Sequence, residues 1–245
     1  MKIKFLGTRG NSDIKNTRHK MHSSTLFISN SGNRLLIDLG KDWFGKLHDI
    51  SPDSVLLTHS HPDHAGGLTE KDRGIPIYMT RETYLGLNES LRKSLEIKLI
   101  IPGKVYYISE FPVVAYNVKH SLVAPAVCFK IGDIIYAPDV AQIVNRKKVL
   151  NNINLYIGDG ASLRKSLYFV TNKTLVGHAS IATQLLWCQL DGIKNAIFTH
   201  CGNSLMQAKN EAEAEELGRI AGINCKIAYD GMEVDYDSSG IFHIA

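Results

Sequence analysis

No run of the chain approaches the 18 apolar residues that mark a membrane-spanning helix. Cysteine is scarce: Cys128, Cys188, Cys201 and Cys225 stand far apart with no Cys-x-x-Cys pair. That spacing excludes a disulfide framework and a cysteine-rich structural zinc site. Neither sign of charge dominates. A net charge of +4 over 245 residues, with a pI near 8.8, accommodates an anionic substrate but is weak evidence for nucleic acid. Repeats of short period, low-complexity tracts and Pro/Gly/Ser-rich linkers are missing as well. The first residues, Met1-Lys2-Ile3-Lys4-Phe5-Leu6-Gly7, read as a strand and turn without a signal-peptide cleavage pattern, so the expectation is a cytoplasmic protein.

What is present is an ordinary globular balance, 44% hydrophobic and 21% charged, with length enough for an ample core. Residues 1–245 are read as a single domain. Apolar runs of strand length recur between Gly, Asn, Asp and Pro. They predict strands near 2–6, 24–29, 34–38, 54–58, 75–79, 97–100, 104–108, 112–118, 126–131 and 133–137. A second set falls near 153–158, 174–177, 195–199, 224–228, 232–236 and 241–244. Helical periodicity falls near 41–48, 63–70, 80–94, 179–191 and 204–221. Hairpin turns are expected at Ser29–Asn33 and Lys130–Asp133. Two packed sheets flanked by helices is the simplest layered solution, an α/β architecture. The basic run Asn145–Lys148 and the acidic run Glu211–Glu216 read as solvated surface, the latter as the exposed face of a late helix.

The chain's chemistry concentrates in His59-Ser60-His61-Pro62-Asp63-His64. Imidazole is the commonest ligand for borderline metals, and the carboxylate adds a harder donor. The run follows the apolar stretch Ser54–Thr58, so strand alternation turns His59 and His61 to one side. Asp63 and His64 then open the first turn of a helix. Four donors are too many for one tetrahedral ion that keeps an open position. They point to two ions sharing one loop. Further donors follow strand-like runs: His120 after Val113–Lys119, Asp139 after Ile134–Pro138, His178 after Leu175–Gly177, His200 after Ala196–Thr199. Polar residues at strand ends can converge on one rim. Cys201, directly after His200, reads as a buried small hydrophobe.

The segment 59–64 resembles the HxHxDH signature of the metallo-β-lactamase superfamily of metallohydrolases, and the later residues match that family's remaining motifs in order. The resemblance implies an αββα four-layer sandwich of two mixed sheets flanked by helices. It implies one metal on His59, His61 and His120, a second on Asp63, His64 and His200, and Asp139 bridging them. Leu36-Ile37-Asp38-Leu39-Gly40 resembles the family's early motif, in which the Asp supports the ligand loop without binding metal.

The opening Phe5–Gly10, then His22–Thr25, Ile157–Ser162 and Val176–Ser180, resemble the phosphodiesterase branch. That branch includes the tRNA 3′-processing endonucleases (RNase Z) and cyclic-phosphate phosphodiesterases. It implies that His178 acts on the leaving oxygen, with Asp159 hydrogen-bonded to it; Asp63 joins these two as a catalytic residue. The two ions, zinc first and manganese as the alternative, would lower the pKa of a bridging water and supply hydroxide. Arg9, Arg18 and His22 are candidates for the phosphate side. Only 18 residues separate His120 from Asp139, which leaves no room for the long tRNA-gripping arm. Cys201-Gly202-Asn203 stands where such enzymes carry Tyr and Arg, and no Cys/His zinc site precedes the motif. His61 stands where the iron-binding, flavin-linked relatives use Glu. The expected substrate is a phosphodiester, small or RNA/DNA, cut by a soluble enzyme with a homodimer left open. The alternatives are a lactonase, thioesterase or lactamase on the same metals, and a non-catalytic nucleic-acid-binding member.

Overall fold

The computed structural model describes residues 1–237 and 242–244. The chain first lays down β1 (Lys2–Gly7), β2 (Ser24–Ile28), β3 (Arg34–Ile37), β4 (Ser54–Leu56), β5 (Ile77–Met79) and β6 (Ile97–Leu99). A second sheet begins with β7 (Val105–Ile108), β8 (Phe111–Lys119), β9 (Val127–Ile131), β10 (Ile134–Tyr136), β11 (Gln142–Ile143) and β12 (Leu155–Asp159). A separate hairpin follows, β13 (Leu167–Thr171) and β14 (Thr174–His178). Then β15 (Asn195–Thr199) and β16 (Asn224–Ile227) complete the second sheet, and β17 (Glu233–Tyr236) and β18 (Phe242–Ile244) return to the first. The sheet orders are β18-β17-β1-β2-β3-β4-β5-β6 and β11-β8-β9-β10-β12-β15-β16, with β7 on β8. Each sheet is antiparallel on one side and parallel on the other: β3 to β6 run parallel, as do β10, β12, β15 and β16.

Side-chain alternation explains the layers. In β10, Ile134 and Tyr136 enter the core between the sheets, while Ile135 faces the outer core. In β3, Leu35 and Ile37 point inward and Leu36 points out. Strands buried on both faces read as unbroken apolar runs, which is how these segments read in the sequence. The outer face of the first sheet is covered by α1 (Leu47–Ile50), α2 (Pro62–Ala65), α3 (Arg81–Gly86) and α4 (Glu89–Ser94), with Leu47, Ala65 and Leu91 in its core. The outer face of the second is covered by α5 (Arg146–Val149), α6 (Ile181–Leu190) and α7 (Ala208–Ile220), through Val149, Ile181, Leu185, Cys188 and Ala214. The result is the expected αββα sandwich.

Several boundaries differ from expectation. The helix expected at 63–70 stops at Ala65, because Gly66 and Gly67 follow and Gly66 caps it. The 80–94 helix is two: Leu87 is extended, and Asn88 starts α4 by accepting from Leu91 N–H. The 41–48 segment splits at Gly45, whose φ is +70. The late helix starts at Ala208 rather than 204. The hairpin turns fall where expected, with Gly132 at φ +60 between β9 and β10. The final strand was expected from residue 241, which lies outside the described residues. Glu211 corrects the reading of the acidic run: it is buried and accepts from His19 and Arg18. No helix among the described residues is long and apolar enough to cross a membrane.

Candidate metal centre and active site

Strand ends from both sheets deliver six of the ten histidines to one cluster. β4 leads into His59 and His61, and α2 carries Asp63 and His64 in its single turn. Pro62 occupies the first helical position, where its missing N–H costs nothing. β8 delivers His120, β10 Asp139, β12 Asp159, β14 His178 and β15 His200. All seven expected ligands converge. His59, His61 and His120 form one group; Asp63, His64, Asp139 and His200 form the other.

In the first group, His61 Nδ1 lies 3.0 Å from His59 Nε2 and 3.2 Å from His120 Nε2. Two nitrogens each 2.0–2.1 Å from a shared tetrahedral ion lie about 3.3 Å apart, so the spacing suits one cation. Burial, the largest influence, pulls the pKa of all three imidazoles down, which leaves their lone pairs free.

In the second group, His200 Nε2 lies 3.1 Å from Asp63 Oδ2, and His64 Nε2 lies 2.6 Å from Asp139 Oδ2. His64 Nδ1 is 2.8 Å from Asp38 Oδ2. Donation at Nδ1 to Asp38 leaves Nε2 facing the Asp139 carboxylate. Burial pulls the His64 pKa down, but Asp139, Asp38 and Asp63 outweigh it and the net shift is strongly upward. His200 is likewise raised, to about 9: burial opposes and Asp139 leads the groups that overcome it.

The donor set can be tested for its fit to metal. His64 Nε2, Asp139 Oδ1 and His200 Nδ1 are buried with no hydrogen-bond partner among the described residues. Asp38, Asp63, Asp139 and Asp159 are all buried, and their ion-pair partners among the described residues are all histidines. Buried carboxylates need compensating positive charge. Two divalent cations would supply it and would satisfy the three orphaned atoms.

The supporting residues are as well defined as the donors. Asp38 accepts from Thr58 N–H at 2.9 Å, from Thr58 Oγ1 at 2.9 Å and from His64. It adopts a left-handed backbone, φ +61, and His200 does the same at φ +55. Left-handed conformations in non-glycine residues are strained and persist only where surroundings enforce them. Asp159 Oδ2 lies 2.8 Å from His178 Nδ1 and accepts from Val140 N–H at 3.0 Å; Oδ1 accepts from Ala161 N–H at 2.8 Å. Sequence reasoning missed Thr58 and Gln184. The Gln184 amide donates to the Asp159 and Ala179 carbonyls, and its oxygen accepts from Asp159 N–H and Tyr156 OH. The available signal was weak: an amide within the apolar helix Ile181–Leu190, which carries a second one at Gln189.

Arg9, Arg18 and His22 do not form an open phosphate side, which corrects that expectation. Arg9 and His22 are buried and joined at 3.0 Å, and Arg9 ion-pairs with Asp42. Arg18 turns away to Glu211 at 3.0 Å and stacks 4.4 Å over Tyr229. Cys201 is buried, as expected, and burial pushes its thiol pKa well up.

A cavity of about 740 Å³ opens beside the cluster, lined by His61, His120 and His178 together with Leu122, Val123, Leu167, Tyr168 and Phe169. Among its lining residues there is no Lys, Arg, Asp or Glu. Its outer wall is the β13–β14 hairpin, whose first strand escaped the sequence reading. Gly177 (φ +108) lets that hairpin close, since a Cβ there would lie 1.9 Å from the Leu167 carbonyl oxygen.

This sheet order and this rim of donors define the metallo-β-lactamase fold. Solved structures of whole-chain similarity accompany it. They include a metallo-β-lactamase fold protein, YhfI, from Bacillus subtilis (17% identity, 95% of this chain, 98% of that one, TM-score 0.70). Zinc-bound PqqB from Methylobacterium extorquens matches at 15% identity (96% and 100%, TM-score 0.73), and a diphosphatase of the PhnP family at 17% (96% and 98%, 0.71). The family described as Anti-Pycsar protein Apyc1 matches residues 1–100. Among curated proteins, an octanoyltransferase of Porphyromonas gingivalis is 25% identical over 244 residues, and a ribonuclease Z of Methanopyrus kandleri 31% over 145. These cover 91% and 53% of this chain, and the chain spans only 46% and 49% of their lengths.

Proposed function

We propose that the chain is a metal-dependent hydrolase, a dinuclear phosphodiesterase acting on a small or cyclic phosphodiester. The observation that carries this reading is the His178–Asp159 pair, 2.8 Å apart, beside a donor set for two cations and on the edge of a cavity lined without Lys, Arg, Asp or Glu. His59, His61 and His120 would hold one ion, and Asp63, His64 and His200 the other, with Asp139 between them. Zinc suits the imidazole-rich set, and manganese is the alternative. When bound, such ions lower the pKa of water and neutralise charge developing on phosphoryl oxygens.

The chain's own residues do the rest. Asp38 and Thr58 fix the ring of His64 and the entry to the ligand loop. Asp159 occupies Nδ1 of His178, so Nε2 is the nitrogen left to act on a substrate. A proton carried there can pass to the leaving oxygen, a contribution of about 10²–10⁴ in rate. Gln184 and the Val140 and Ala161 amides hold Asp159 while it orients His178. The diphosphatase and ribonuclease Z likenesses favour attack on phosphorus. The cavity favours a small substrate over a polyanion, because its walls carry no Lys or Arg to meet neighbouring phosphates.

A second reading rests on the same cavity. Apolar walls beside two cations also suit a lactone or thioester, which carries no charge into the site. A substrate panel separates the two. It comprises bis-p-nitrophenyl phosphate, 3′,5′- and 2′,3′-cyclic nucleotides, single-stranded RNA and DNA, and lactones, assayed with wild type and His178→Ala. Fast diester cleavage lost in the variant supports the phosphodiesterase. Lactone turnover without diester turnover contradicts it.

A further inference from the structure

Gly10 is a glycine for a reason other than its backbone. Its φ is not in the left-handed region, so any residue could adopt its conformation. The constraint is space. A Cβ on Gly10 would lie 2.9 Å from Cε1 of His200 and 3.0 Å from each of its ring nitrogens. Ordinary contacts between carbon atoms fall at about 3.5–4.0 Å. The backbone of Gly10 therefore lies directly on the His200 imidazole.

The strand of chain that puts it there is fixed on both sides. Gly10 N–H donates to the Cys201 carbonyl at 3.1 Å, and Cys201 N–H donates to the Thr8 carbonyl at 2.6 Å. Arg9 N–H donates to the Met21 carbonyl at 2.9 Å. The Arg9 side chain, 1% exposed, pins the segment from within. It reaches the Lys20 carbonyl at 3.1 Å and His22 Nδ1 at 3.0 Å, and it also contacts the Ser12 carbonyl and Asp42. A buried guanidinium with four partners is a rigid anchor, and replacing it by a lysine point charge would lose most of them.

We infer that Gly10, held by Arg9, is a positioning residue for His200: its backbone sets the plane of that imidazole and thereby the second metal position. This rests on the assignment of His200 as a ligand. Sites tolerate displacements of about 0.5 Å, and a methyl group on Gly10, placed 2.9 Å from the ring, would require a shift of about 0.6–1.1 Å. Around the ring stand Asp63, Asp139 and Asp159 and the imidazoles of His64 and His178, all members of the same cluster, so the ring has nowhere neutral to move. His59, His61 and His120 have no such neighbour in Gly10.

The test is zinc binding by the full chain, stripped of metal and titrated against a chromophoric chelator. Wild type is expected to bind two equivalents. Gly10→Ala is expected to keep one class at wild-type affinity and weaken the other by about 10–100-fold. In a His200→Ala background, Gly10→Ala is expected to change nothing. Identical isotherms for wild type and Gly10→Ala overturn the inference, as does an equal loss in the His200→Ala background. If wild type binds no zinc, the metal reading fails on its own, and the His200 ring resonances of Gly10→Ala decide the contact: unshifted resonances overturn it. If Gly10→Ala does not fold, Gly10→Ala/His200→Ala is expected to fold, and its failure to do so also overturns the inference.

Discussion

The two halves of the donor cluster are built by opposite means. His59, His61 and His120 are three imidazoles that burial holds neutral, and two of them come from one short loop. The half formed by Asp63, His64, Asp139 and His200 is charged and more buried; it too takes two donors from that loop, and each half draws on both sheets. Its own supports are Asp38 behind His64, Gly10 against His200, and left-handed backbone at Asp38 and His200, whereas Thr58 serves both halves, its Oγ1 lying 3.0 Å from His59 Nδ1. A neutral triad needs only proximity to receive a cation. Buried carboxylates and raised histidines must be held against their own charges until one arrives. The charged half is thus the one whose integrity is the more easily lost.

His178 touches both halves, at 3.1 Å from Asp139 and with its ring 5.0 Å from that of His120. Its replacement by alanine is expected to have the largest effect. Diester kcat/KM should fall by about 10²–10⁴ while two metals stay bound. Unchanged turnover would remove His178 from the chemistry.

The N-terminal pin behind the charged half carries a pH signature. Burial, and then Arg9, lowers the pKa of His22 to about 4, below its ordinary 6.5. Between those values the unfolded chain takes up a proton that the folded chain refuses, so stability is lost as pH falls from 6.5 to 4. The loss is about 3 kcal/mol. His22→Asn is expected to flatten that part of the profile in urea unfolding at pH 7 and pH 4. Parallel profiles for the two proteins would detach His22 from the fold's acid response.

Asp38→Ala sharpens the contrast directly. It is expected to weaken one metal class by about 10–100-fold and the triad less, since Asp38 reaches His59 only through Thr58. Equal weakening of both classes would erase the distinction between the halves. The smallest effect is expected at the cavity wall. Phe169 is 62% exposed, so Phe169→Ala should alter stability by no more than about 0.5 kcal/mol. Loss of an aromatic contact worth about 1 kcal/mol should raise KM for an aryl diester roughly fivefold. An unchanged KM would mean that substrate does not reach the hairpin.

The contrast between the halves also marks how far the sequence could be read. Three adjacent histidines and an aspartate announce themselves, and strand-end donors such as His120, Asp139 and His200 follow once the strands are placed. The sandwich follows from unbroken apolar runs such as Ile134–Tyr136. What stayed hidden depends on approach rather than pattern. Nothing local says that Gly10 meets His200, 190 residues on, or that Arg9 is buried rather than open to phosphate. The exposed strand Leu167–Thr171 was missed because it is apolar without a buried face, so it lacks alternation. The Glu211 carboxylate looked like solvated helix surface because its partners, His19 and Arg18, lie nearly 200 residues away in sequence.

On the proposed reading, both halves fill with metal and act together on a phosphodiester. Zinc titration of the metal-free full chain, with hydrolysis of bis-p-nitrophenyl phosphate followed at each addition, tests it most directly. Activity is expected to stay low through the first equivalent and to reach its plateau at two. A plateau at one equivalent, or no hydrolysis with two bound, would contradict it.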